Sequence, residues 1–149
     1  MRIRFARPAD LARLEEINTT AGPAAHWSRQ QWLEVFVSTT PKRLVWVAEE
    51  DAAAVGFLVA QCSGPDWELE NIAVLPELQR GGAGRALVEE LVARARTERA
   101  ERILLEVRAS NRAAIGLYHQ NGFQKMAVRG GYYSNPPEDA LIMVLSLRK

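Results

Sequence analysis

The sequence predicts an α/β fold, a single domain over residues 1–149 built on a central mixed, mostly antiparallel sheet of about seven strands with about four helices on its faces. Three observations predict it. A length of 149 residues with 48% hydrophobic side chains is the size and mixture of one domain with its own core. Three short apolar runs between Arg43 and Val74, separated by brief turns, read as an antiparallel meander. The order after Pro76 is helix, strand, helix, and a strand-helix-strand unit closes by a right-handed parallel crossover.

Ile3 and Phe5 alternate with arginines ahead of Pro8 and predict a first strand, and Leu11, Leu14 and Ile17 then recur at helical spacing. Ser28 with Gln31 three residues on fits a capping box, and Trp27 before it can pack on Trp32, so a second helix starts at Ser28. The linker from Thr19 to His26 is thereby held at both ends and can present side chains to a partner. Strands follow at Arg43 to Glu49, Ala53 to Cys62 after a Glu50-Asp51 turn, and Trp67 to Val74. Leu87, Val88, Leu91, Val92 and Ala95 form one apolar stripe of a helix ending near Thr97. Ile103 to Val107 reads as a buried strand, Asn111 caps a helix that closes at Asn121-Gly122, and strands near Phe123 to Arg129 and Leu141 to Leu147 flank a loop holding Gly130-Gly131-Tyr132-Tyr133.

Nineteen Lys and Arg against 18 Asp and Glu leave a net charge of +1, so no broad electropositive surface directs the chain to nucleic acid or an acidic membrane. The longest apolar stretch, Ala52 to Ala60, is about half of what a bilayer-spanning helix needs, and MRIRFARP has no signal-peptide apolar region, so the expected location is cytoplasmic. The single cysteine, Cys62, excludes an internal disulfide framework and a cysteine-rich metal site. His26 and His119 lack the carboxylate spacing of a metal site and read as surface or packing residues, so no metal is expected.

Gln79-Arg80-Gly81-Gly82-Ala83-Gly84 lies between a strand and a helix, where backbone N–H groups and the helix dipole favour an anion such as a pyrophosphate. Taken alone it is equally a tight turn, and it is neither a Walker A loop nor a dinucleotide fingerprint. Glu106 interrupts an apolar strand, where a carboxylate either pairs with a cation, Arg108 being near, or serves as a base. Asn111 is a sound helix cap by itself, and Tyr118 reads equally as an amphipathic core residue.

Taken together, these blocks resemble the GNAT superfamily of acetyl-CoA-dependent N-acetyltransferases from about Arg2 to Leu147. Gln79-x-x-Gly82-x-Gly84 is similar to its pyrophosphate loop, and Asn111-x-x-Ala114-x-x-Leu117-Tyr118-x-x-x-Gly122-Phe123 to its second motif. Glu70-Asn71-Ile72-Ala73-Val74-x-Pro76, Leu105 to Asn111, and Tyr132-Tyr133 with Glu138-Asp139-Ala140 and Met143 look like the bacterial branch that acetylates ribosomal-protein alanines. The resemblance implies a GNAT-like fold and acetyl-CoA as cosubstrate. Its pantetheine arm would pair with the backbone of Ile72, Ala73 and Val74 and contact Asn111. Its pyrophosphate would rest on Arg80, Gly81, Gly82, Ala83, Gly84 and Arg85. Glu106 is implied as general base and Tyr118 as the proton donor near the thioester sulfur.

The implied acceptor is a protein N-terminus, most simply the N-terminal alanine of a small-subunit ribosomal protein. An α-amine with a pKa of about 7.7 to 8.0 is partly neutral near pH 7, whereas lysine at about 10.4 needs more help. No base is placed near Cys62, so direct attack in a ternary complex is expected rather than an acyl-cysteine. Glu70, in register with Ile72 and Val74, either joins an ion pair or shares the role of Glu106, and Tyr132 and Tyr133 either clamp a peptide or pack a hairpin. A small-molecule amine as acceptor, or a non-catalytic acetyl-CoA-binding module, are the alternatives. Oligomeric state is left open by the sequence.

Overall fold

The chain opens with β1 (Arg2–Phe5), a 3-10 turn (Pro8–Asp10), α1 (Leu11–Thr20) and α2 (Arg29–Val37). The meander β2 (Arg43–Glu50), β3 (Ala53–Gln61) and β4 (Asp66–Val74) follows. A second 3-10 turn (Pro76–Leu78) leads to α3 (Ala83–Thr97), then β5 (Arg102–Arg108), α4 (Arg112–Gln120), β6 (Gln124–Ser134) and β7 (Pro137–Ser146). This computed structural model describes residues 1–21, 25–134 and 136–148. All strands join one seven-stranded sheet in the order β1-β2-β3-β4-β5-β7-β6, antiparallel except for β4 with β5. The expected α/β class, meander and parallel crossover are all present.

Local chemistry fixes the element starts. Ser28 Oγ accepts from Gln31 N–H (3.2 Å) while Ser28 N–H donates to Gln31 Oε1 (2.8 Å), closing the capping box of α2. The Trp27 and Trp32 rings meet at 5.1 Å, as the hydrophobic staple requires. Asn111 Oδ1 accepts from Ala114 N–H (3.2 Å) and caps α4. The β2–β3 turn lies one residue later than expected, because Glu50 is still in the strand and Asp51 and Ala52 take φ of 51° and 65°. Two positive φ values give the turn whose twist matches a hairpin. Likewise α1 runs on through Thr20, so the linker to α2 begins at Ala21, and Gly22, Pro23 and Ala24 within it lie outside the described residues.

Side chains alternate between two cores on opposite sheet faces. Trp46, Leu58, Trp67, Leu69, Ile103 and Leu105 pack with Leu87 and Leu91 of α3 and with Phe123. Val47, Phe57, Val59 and Ala73 pack with Leu14 and Ile17 of α1 and Trp32 of α2. In β4 this alternation is interrupted. Val59 pairs with Asn71 but the next residue, Ala60, pairs with Leu69, so Glu70 is an extra residue, a β-bulge. Trp67 and Leu69 therefore share a face with Val74, while Asn71 and Ala73 turn to the other side. Glu70 is consequently not in register with Ile72 and Val74; it reaches Arg43 instead. The parallel ladder also stops there: β4 and β5 pair only from Asp66–Arg102 to Leu69–Leu105.

The last hairpin is longer than expected. Tyr132 and Tyr133 sit inside β6 rather than in a loop, because pairing with β7 resumes at Tyr133–Glu138 after an irregularity between Arg129 and Tyr133. Gly131, with φ of 62°, lies in that irregularity, and its N–H donates to Asp139 Oδ1 (2.9 Å).

Replacing Ser28 by Ala removes one half of the capping box. Urea unfolding should show a loss of about 1 kcal/mol with an unchanged m-value.

Candidate active site

Beyond Leu69 and Leu105 the two central strands part, and a cleft of about 1040 Å³ opens between them. Ile72, Ala73 and Val74 line it from β4, whose edge facing β5 has no strand partner over this stretch. Asn111, Leu117 and Tyr118 line it from α4. Arg80, Gly82, Gly84 and Arg85 line it from the glycine loop and the start of α3.

Glycine sets the shape of this loop at two positions. Gly82 is the N-cap of α3 with φ of 89°, a left-handed value that a side chain would strain. The first helical bond, Ala86 N–H to Gly82 O (3.0 Å), lies one turn in, so the N–H groups of Ala83, Gly84 and Arg85 precede it at the positive end of the helix. A Cβ on Gly84 would stand 3.2 Å from the Leu117 side chain, so glycine permits close approach of α3 to α4. Gly81 N–H is spent on Leu78 O (3.0 Å) and Ala83 is buried, so these two contribute shape and not lining. Arg85 pairs loosely with Glu89 (3.5 Å) and Arg80 is exposed, which leaves both guanidinium groups at the surface of the loop.

Tyr118 is 4% exposed and stacks obliquely on Phe123 (5.8 Å), yet it lines the cleft. Burial first, and the neighbouring Tyr133 second, push its phenol above the usual tyrosine range. It therefore stays protonated throughout the neutral range, the state a proton donor needs.

A second cavity of about 390 Å³ continues the cleft and shares Trp27, Glu70, Glu106 and Tyr133 with it. Glu34, Glu68, Glu70 and Glu106 line this part against one cation, Arg43. Arg43 holds Glu70 through Nε (2.7 Å) and Nη2 (3.3 Å). Glu106 is not paired with Arg108, the neighbour in sequence, but with Arg129 of β6 (3.1 Å). Arg108 instead joins Glu138 (3.4 Å) and lies 4.2 Å from the Tyr133 ring centroid. Arg129 reaches Glu106 across β7, which lies between β5 and β6 in the sheet. The neighbouring Glu106 carboxylate pushes the Tyr132 phenol up, and the Tyr132 and Tyr133 rings meet edge to face at 5.1 Å.

Glu68 was not singled out by the sequence. It is half-buried and has no hydrogen-bond or ion-pair partner among the described residues; burial, then Glu70 and Glu106, push its carboxyl above the ordinary range. The pattern Trp67-Glu68-Leu69-Glu70 carried the signal, two carboxylates on the polar side of a half-buried strand. Cys62 is buried, outside both cavities, and desolvation raises its thiol to about 12. His26 lines the cleft and His119 does not, and no cluster of three metal-ligating side chains occurs among the described residues.

A helix start open to phosphate, a strand edge without a strand partner and a buried phenol share one cleft, a geometry suited to acyl transfer from a phosphate-bearing carrier. The model for the acetyltransferase (GNAT) family matches residues 10–123, and the chain belongs to that family. It is 36% identical over 143 residues to the [ribosomal protein bS18]-alanine N-acetyltransferase of Escherichia coli K12, covering 90% of this chain and 97% of that one. The crystal structure of the ribosomal-protein-S18-alanine N-acetyltransferase from Escherichia coli superposes with a TM-score of 0.90 at 32% identity, over 99% of this chain and 94% of that one. The yncA acetyltransferase of Salmonella typhimurium, solved with its cofactor acetyl-CoA, superposes with a TM-score of 0.83 at 25% identity, over 100% and 95% of the two chains. The protein is thus an N-acetyltransferase of the GNAT fold, a family that uses acetyl-CoA.

The position of Cys62 yields a direct expectation. Cys62→Ala should retain kcat within about twofold, measured by thiol release from acetyl-CoA, whereas a covalent acyl-cysteine route would lose at least about a hundredfold.

Proposed function

We propose that the protein acetylates the N-terminal α-amine of a protein chain, and that its acceptor is the N-terminal alanine of a small-subunit ribosomal protein, a substrate found in the bacterial cytoplasm. The observation that carries this reading is the acceptor cavity: four carboxylates and the aromatic walls of Trp27, Tyr132 and Tyr133 beside the cleft suit a cationic amine at the end of a peptide. The relatives named for the alanine of bS18 support the choice of acceptor.

The cosubstrate fits the cleft on the structure's own terms. Gly82 and Gly84 leave the α3 N–H groups open to a pyrophosphate, with Arg80 and Arg85 adding charge and Gly81 and Ala83 shaping the turn. The open β4 edge at Ile72, Ala73 and Val74 accepts an arm with amide groups, which Asn111 contacts from α4. Acetyl-CoA bound there supplies an acetyl group already activated as a thioester. Glu68 and Glu70 present negative charge to the ammonium, Glu106 takes its proton, and Tyr118 holds a proton on its hydroxyl for the leaving group. Tyr132 keeps Glu106 in place and, with Tyr133, flanks the peptide. Because the two cavities share Glu70, Glu106 and Tyr133, both substrates are held at once and direct attack in a ternary complex follows.

Incubation with acetyl-CoA and hexapeptides of varied first residue should yield acetylation at the α-amine of the alanine peptide; modification of lysine side chains or small amines alone would overturn the reading. Tyr118→Phe keeps the ring and loses the proton, so kcat should fall by about 10² while the Kd for acetyl-CoA stays within twofold. The raised Glu68 carboxyl is charged above its pKa and neutral below it, and it loses charge at a higher pH than an ordinary carboxylate. Peptide KM should therefore rise as pH is lowered from about 7 to about 5, and Glu68→Gln should raise KM and flatten that dependence.

A further inference from the structure

Asn18 and Asn71 are the only buried polar side chains among the described residues, 2% and 3% exposed. They sit on the face otherwise filled by Leu14, Ile17, Trp32 and Ala73, where an apolar residue of the same volume would pack without any hydrogen-bond requirement. Asn18 Oδ1 accepts from the backbone N–H of Trp27 (3.2 Å), the indole Nε1 of Trp32 (3.3 Å) and Nδ2 of Asn71 (3.5 Å). Asn18 Nδ2 donates to the carbonyl of Ala25. Ala25 and Trp27 line both cavities, and Asn71 is the β4 residue that the bulge turns toward α1. One buried amide thus ties the wall across the cleft from Tyr133 to the strand that carries Glu68 and Glu70. Asn71 Oδ1 has no hydrogen-bond partner among the described residues, so the pair carries an unmet acceptor in the core.

We infer that Asn18, braced by Asn71, is the positioning residue of the acceptor wall: it sets where Ala25 and Trp27 stand relative to β4 and so governs peptide binding without touching the reacting atoms. The inference rests on the assignment of the second cavity to the acceptor.

Asn18→Leu tests it. With an alanine-starting hexapeptide as varied substrate, peptide KM should rise at least tenfold while kcat and the Kd for acetyl-CoA stay within twofold. Trp32→Phe, which loses one donor to Asn18 and puts a smaller aromatic ring in place of the indole, should raise KM about threefold and serves alone should Asn18→Leu not fold. An unchanged KM in the folded variants overturns the inference, as does a parallel loss of kcat, acetyl-CoA affinity and peptide binding, the pattern of a merely structural residue. Native-state hydrogen exchange reads the same positioning without any substrate. The Trp27 amide should exchange at least tenfold faster in the variant while core amides of β3 are unchanged, and an unaltered Trp27 amide overturns the inference. If the wild-type protein leaves the peptide's α-amine free, the acceptor assignment fails by itself and the exchange result decides the role of Asn18.

Discussion

The ladder between β4 and β5 holds from Asp66 to Leu69 and then ends, and everything that makes a site depends on that ending. Its cause is one extra residue. With Glu70 unmatched on the β3 side, β4 bends, its face assignment inverts, and the edge from Ile72 to Val74 is left without a strand. The same bulge swings Asn71 under α1 and aims Glu70 toward Arg43, so cleft, acceptor charge and wall brace share a single origin. The parallel half of the ladder upstream is what keeps the gap local, since Trp67, Leu69, Ile103 and Leu105 lock the two strands into one core.

Charge in this protein is arranged rather than accumulated. A net charge of +1 conceals a positive helix start at one end of the cleft and a carboxylate cluster at the other. Two of those carboxylates are held by arginines from distant strands, Glu70 by Arg43 and Glu106 by Arg129. Glu106 is partly exposed, so its ion pair is screened and contributes orientation more than stability. Glu68 has no such partner among the described residues, and its carboxyl is the half-buried one of the cluster that burial and its acidic neighbours push up.

Much of the fold was legible because periodicity is a local signal. The capping box at Ser28 and the Asn111 cap follow from residues within one turn of each other, and the meander and the parallel crossover from the order of consecutive locally patterned elements. The glycine loop was legible in part for the same reason: Gly82 is required by the backbone at its own position, whereas Gly84 is required by the approach of Leu117 from α4. What escaped was non-local. No spacing within the chain pairs Glu106 with Arg129 in preference to Arg108, because that choice is made by strand order, β7 lying between β5 and β6. The bulge at Glu70 is visible only against its partner strand, so the expected alignment with Ile72 and Val74 inherited an unbroken alternation. Asn18 carries no signal in the sequence, because its bonds join segments that meet only in the folded state.

The opened strand edge also has a bearing on which molecules the cleft retains. A sheet interrupted in its middle carries a hydrogen-bond deficit that water satisfies only loosely in a narrow slot. A ligand with amide groups spaced like a peptide repairs that deficit, whereas a nucleotide lacking such an arm can fill the helix-terminus end and leave the strand edge unmet. In the binding mode proposed above, the gap between β4 and β5 discriminates among phosphate-bearing molecules, selecting by backbone complementarity at a distance from both the phosphates and the reacting carbon.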